Sequence, residues 1–176
     1  MFTIISLWRT KLANRITTKF VLAATALLLG SASVSADATC RTVNGHFNII
    51  PVSAEDCPSP VGVCGQGTFN GGILGDYFSP FTSIVPTDDT PTTGVVLYTA
   101  DITVTDAQVG DWEGDLLLKE GGGFHTAGNG EFAALFSAVG GTGSFANANG
   151  VLSTTGMINL ATGSGEGVYS GQICVP

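Results

Sequence analysis

The side chains with the strongest potential for chemistry are few and scattered. His46 and His125 are the only histidines in the 176 residues. A histidine beside an acid can act as a general base, but no serine in a G-x-S-x-G elbow accompanies either one. His46 sits among Val43, Gly45 and Phe47, which turns it to the opposite side of a strand from the apolar residues. His125 falls in a glycine-rich stretch, Gly121 to Gly130. Both read as plain surface or loop histidines.

Asp111, Glu113 and Asp115 form D-x-E-x-D, which begins like a calcium loop. The loop's sixth position then carries Leu116 where glycine is needed, and its twelfth carries Gly122 in place of glutamate, so an EF-hand is excluded. On a strand the three carboxylates would share one solvated face, with weak calcium binding as the alternative. Asp88-Asp89 lies in a proline-rich stretch where aspartate is an ordinary turn residue. A hydrolase would need two acids converging at a defined distance. The glycine strings near 121, 140 and 163 match neither the Walker nor the dinucleotide-binding pattern. No metal and no cofactor is expected.

Aromatic residues are the remaining functional material. Tyr77, Tyr98, Phe132, Phe136 and Tyr169 are the candidates to line a ligand pocket, and Phe69 and Phe145 are expected to join them in the interior. A pocket exists only where strands close into a barrel with space left over.

The elements that would hold these residues are strands. The mature chain is rich in Gly, Thr and Ser and poor in strong helix formers, which disfavours helices. From Val95 to Thr105, Val96, Tyr98, Ala100, Ile102 and Val104 alternate with Leu97, Thr99, Asp101, Thr103 and Thr105. That period of two marks a strand with one buried face. Further strands are expected at 43–50, 113–119, 131–139, 151–160 and 168–175, with one long or two short strands over 67–77. The segment 131–138 could also form a short helix, but Gly140-Gly141 cuts it below a usual helix length. Gly121-Gly122-Gly123, Gly128-Asn129-Gly130 and Asn149-Gly150 are expected to break the chain between strands. Ser79 to Thr93, with three prolines, reads as one long loop. Six to eight strands at this spacing make an all-β sandwich or barrel, with no linker dividing it.

The first 36 residues look like a removable leader. Arg9, Lys11, Arg15 and Lys19 precede an apolar run of 11 residues, Phe20 to Gly30, and Val34-Ser35-Ala36 resembles a cleavage site. The run is too short to span a bilayer, which takes about 20 residues. A signal peptide over 1–36 and a barrel domain over 37–176 are therefore expected, in a secreted or periplasmic protein. Cleavage leaves two basic residues, Arg41 and Lys119, against 14 acids, a net charge of −12. So acidic a chain is unsuited to nucleic acid or to anionic membrane surfaces. Four cysteines remain, an even number that reads as two disulfides in an exported chain. Of the three connectivities, Cys57–Cys64 as a local staple and Cys40–Cys174 as a clasp between termini are favoured, because the clasp sets the first and last strands side by side.

The stretch Gly140-Gly141-Thr142-Gly143-Ser144-Phe145-Ala146-Asn147-Ala148-Asn149-Gly150 resembles the G-G-T-G-x-F-x-x-A-x-G signature of dirigent proteins, within the wider allene oxide cyclase-like barrel family that includes bacterial secreted proteins. Residues 151–175 are similar to that family's closing pair of strands. The resemblance implies an eight-stranded antiparallel barrel, sometimes assembled as trimers. Dirigent proteins steer phenoxy-radical coupling and the cyclases fold a reactive fatty-acid epoxide, so both supply shape more than chemistry. Their pocket acids and arginines have no matching positions here. The implied function is a barrel that binds or steers a small apolar or aromatic ligand without a defined catalytic constellation. The alternatives are a structural or interaction protein of the envelope or extracellular space, and a cyclase-like enzyme. The partners these readings admit are such a ligand and further copies of the chain.

Overall fold

The computed structural model describes residues 38–87, 94–126 and 130–176. The proposed leader, the Asp88-Asp89 pair and the Gly128-Asn129 turn lie outside these residues. The described chain forms eight strands: β1 (Thr39–Pro51), β2 (Cys64–Gly71), β3 (Leu74–Pro86), β4 (Val95–Val109), β5 (Trp112–His125), β6 (Glu131–Gly141), β7 (Asn149–Ile158) and β8 (Gly165–Val175). Each pairs antiparallel with its sequence neighbour, and β1 pairs with β8 to close the barrel. Among the described residues, no helix is long and apolar enough to cross a membrane.

The alternation read from the sequence sets which side of each strand faces in. In β4, Val96, Tyr98, Ala100, Ile102 and Val104 are all buried. In β6, Phe132, Ala134, Phe136 and Ala138 are buried while Ala133, Leu135 and Val139 face out, which is a strand's period and not a helix's. Both disulfides have the favoured pairing. Cys40–Cys174 joins β1 to β8 at directly opposed positions, and Cys57–Cys64 ties the loop after β1 to the start of β2.

Three local expectations fail, each for a reason visible in the pairing. The long loop expected from Ser79 is strand as far as Pro86. Pro80 lies opposite Cys64, the first residue of β2, so most of the later part of β3 has only β4 beside it. A proline lacks a ladder donor and is tolerated at such an edge. Gly121-Gly122-Gly123 is no break but part of β5, paired on both sides. A Cβ on Gly122 would collide with Ala134 of β6, so glycine here permits close strand approach. Asn149-Gly150 already belongs to β7. The turn is made earlier by a short 3-10 segment, Gly143–Phe145, where Gly143 adopts φ 55°.

The two ends of the barrel differ. The end where β1 begins is stoppered by Phe145, which is wholly buried. Beside it the Arg41 guanidinium lies 4.2 Å over the Trp112 ring, donates to the Val109 carbonyl at 2.7 Å and pairs with Asp111. The end where β1 finishes holds a cavity.

Candidate functional site

Aromatic rings fill the middle of the barrel because glycines opposite them leave room. A Cβ on Gly167 would strike Phe47, one on Gly156 would strike Phe132, and one on Gly67 would strike Tyr77. Phe47 and Phe69 pack at 5.4 Å, and Phe69 meets Tyr77 edge-on at 5.2 Å. Above this layer lies an internal cavity of about 50 Å³. Four of the five sequence-predicted pocket residues line it: Tyr77, Tyr98, Phe132 and Phe136. Half-buried Ile49, Phe81 and Ile158 rim it, and Phe81 stacks on Tyr98 at 5.0 Å.

The fifth candidate, Tyr169, is buried elsewhere. Its hydroxyl accepts from the Ile73 amide at 2.8 Å and lies 3.2 Å from the carbonyls of Asn70 and Ile73. It therefore stitches β8 to the β2–β3 hairpin and is not part of this cavity's lining.

The polar lining of the cavity was not singled out by sequence. Glu120 extends the inward face of Leu116 and Leu118, and its Oε1 accepts from the Tyr98 hydroxyl at 2.7 Å. Burial pushes its carboxyl up to about 7, against the opposing pull of the Tyr98 hydrogen bond. Tyr98 and Tyr77 are both held well above the ordinary phenol range, first by burial and then by the Glu120 charge. The Tyr77 hydroxyl donates to the Asn48 carbonyl at 2.8 Å. Ser79 also lines the cavity. It is 4% exposed, and its hydroxyl has no hydrogen-bond partner. Thr154 has a similarly unpartnered hydroxyl but lies outside the lining.

Gly65 completes the wall. It sits opposite Ser79, and a Cβ there would meet only Ile49 at an ordinary 3.7 Å. Unlike the ring-facing glycines, it is not required by packing; its bareness enlarges the cavity.

The other sequence candidates are dispersed. Asp111 lies in the β4–β5 turn, where the Arg41 hydrogen bond holds its carboxyl below the usual range. Asp115 accepts from the Asp106 amide at 3.2 Å, and exposed Glu113 lies beyond the register shift. Among the described residues, no three acids, histidines or cysteines group as metal ligands. His46 is exposed on the outer wall in an open groove shared with Asn70 and Glu166. His125 ends β5 opposite Val95, rather than lying in a loop. The signature residues Gly140, Gly141, Thr142, Gly143, Phe145, Ala148 and Gly150 build the stopper at the far end. Gly141 and Gly143 approach the backbone of β5 too closely for a Cβ, and the Thr142 hydroxyl accepts from the Asp115 amide at 2.8 Å.

Compared with family models, curated proteins and solved structures, the chain matches none of them. The reading of its function therefore rests on the cavity.

Proposed function

We propose that this chain is an exported barrel that binds or steers a small apolar or aromatic molecule in the cavity beneath Phe81. The supporting observation is a lining of aromatic rings broken by one carboxyl and one unpartnered hydroxyl. Apolar walls with a few placed polar groups are the usual make-up of a ligand site. The likeness of residues 140–150 to the dirigent signature supports the same reading, and the two disulfides suit an oxidising compartment. The cavity admits only a few atoms as it stands, so a ring enters by swinging Phe81 off Tyr98. That small volume favours the second reading, a structural barrel with no ligand.

The test is titration with benzyl alcohol, followed by NMR shifts of the Phe81 and Tyr98 rings. Saturable shifts confined to the cavity are expected. Gly65→Ala, which the backbone accepts without collision, is expected to weaken binding about fivefold, or roughly 1 kcal/mol. Shifts that never saturate, or that Gly65→Ala leaves unchanged, would hand the case to the structural reading.

A further inference from the structure

Resting on that reading, we propose that the cavity takes an organic amine, whose ammonium group pairs with the Glu120 carboxylate and hydrogen-bonds the Ser79 hydroxyl while its carbons lie against the surrounding rings.

The argument begins with missing positive charge. Among the described residues only Arg41 and Lys119 are permanently cationic, and both are engaged on the surface. Arg41 pairs with Asp111, and Lys119 reaches Asp101 at 2.6 Å. Lys119 neighbours Glu120 in sequence but points to the outer face of the strand. The interior therefore holds one carboxyl and no cation to balance it. A half-buried carboxylate held by one phenol and no cation is costly to charge, and a ligand carrying the opposite charge lowers that cost.

The remaining wall fits the same chemistry. Ring faces attract cations electrostatically, and Phe47, Phe69, Phe81, Tyr98 and Phe132 all line the cavity. The Ser79 hydroxyl is a buried oxygen free to accept from an N–H. An anionic ligand finds no such match. The Tyr98 hydroxyl already donates to Glu120 and the Tyr77 hydroxyl to Asn48. A volume of about 50 Å³ holds an ammonium and a few carbons, with the remainder of the molecule leaving past Phe81. The acidic body of the protein draws cations toward it.

The pairing is pH-dependent with a defined sign. The titratable groups facing Glu120 are Tyr77 on β3 and Tyr98 on β4, and both stay neutral. β6 presents Phe136 opposite it, while β1 and β2 present Phe47 and Phe69. Glu120 is charged above about pH 7 and neutral below it, so ammonium affinity rises with pH through that range.

The experiment compares benzylammonium, benzyl alcohol and benzoate on the full chain by calorimetry. At about pH 8, benzylammonium is expected to bind about tenfold more tightly than benzyl alcohol, and benzoate more weakly than either. At about pH 5 the preference is expected to fall below about threefold. Glu120→Gln should abolish it at the higher pH, bringing the affinities for benzylammonium and benzyl alcohol within about twofold of each other. If that variant does not fold, the pH comparison on the unmodified chain decides alone. Equal binding of amine and alcohol at the higher pH, or tightest binding of benzoate, overturns the ammonium inference and leaves the binding barrel standing. Binding of none of the three overturns both.

Discussion

The two ends of this barrel are built on opposite principles. At the end where β1 begins, the space is filled and the named polar groups are matched. Phe145 is wholly buried, Arg41 is held by Trp112, Asp111 and the Val109 carbonyl, and the Tyr169 hydroxyl has three backbone partners. At the other end, Glu120 has a tyrosine but no cation, Ser79 has no partner, and Gly65 leaves a position bare that packing would allow to be filled. The first arrangement gains stability. The second gives some of it up, and unmet polar groups around a cavity are what a binding site retains.

The largest effect that separates the ends is truncation of the stopper. Phe145→Ala removes a ring with no exposure and leaves a cavity in the core. A loss of about 3–5 kcal/mol is expected, read as a lower midpoint in urea unfolding. Ligand affinity at the opposite end should be unchanged under conditions where the variant is folded. A loss below about 1 kcal/mol would show that the segment after β6 is not the stopper it looks to be.

The next effect belongs to Glu120. Its carboxyl holds a proton to about pH 7 in the folded chain, against 4.5 as its ordinary value. Between these values the folded state binds more protons than the unfolded chain, so stability falls as pH rises from about 4.5 to about 7 and then levels. The full shift corresponds to roughly 3 kcal/mol as an upper figure. Asp111, paired with Arg41 at the other end, works in the opposite direction and only at lower pH, since its carboxyl is lowered. Urea midpoints across this window should decline in the native chain and lie nearly flat in Glu120→Gln. A decline that survives the substitution would assign the slope to another group.

The sequence was legible where one rule governs a whole element. Period-two alternation placed the inward face of β4, the glycine pair at 140–141 made 131–139 a strand and not a helix, and cysteine parity with terminal closure placed both disulfides. It was illegible where a residue's role depends on its cross-strand neighbour. Glycine reads as a breaker, yet Gly122 is a point of close strand approach whose partner, Ala134, is twelve positions away. Proline reads as loop, yet Pro80 is tolerated because β2 begins opposite it. These two misreadings concealed the polar site. Ending β5 at Lys119 left Glu120 outside the strand, and opening a loop at Ser79 removed that hydroxyl from the wall. The signal for Glu120 was present as continued alternation from Leu116 and Leu118. Nothing local marked Ser79, whose burial follows from β2 and β4 closing over it. Tyr169 was rightly placed in the interior, but its hydroxyl went to the β2–β3 hairpin, a pairing set by closure across the whole chain.

The finest test sets two hydroxyls of one barrel against each other. Ser79→Ala deletes an oxygen that is buried without a hydrogen bond, so the folded state loses an uncompensated desolvation cost. A gain of about 1 kcal/mol is expected from it. Tyr169→Phe deletes an oxygen that satisfies the Ile73 amide, which is then stranded in the interior. A loss of about 1–2 kcal/mol is expected there. The two variants should therefore shift the unfolding midpoint in opposite directions, although each removes one hydroxyl from the same core. Only Ser79→Ala should weaken amine binding, because only Ser79 lines the cavity. A destabilising Ser79→Ala would mean that its hydroxyl is satisfied in solution, and the contrast between the filled end and the poised end would then rest on Glu120 and the bare Gly65.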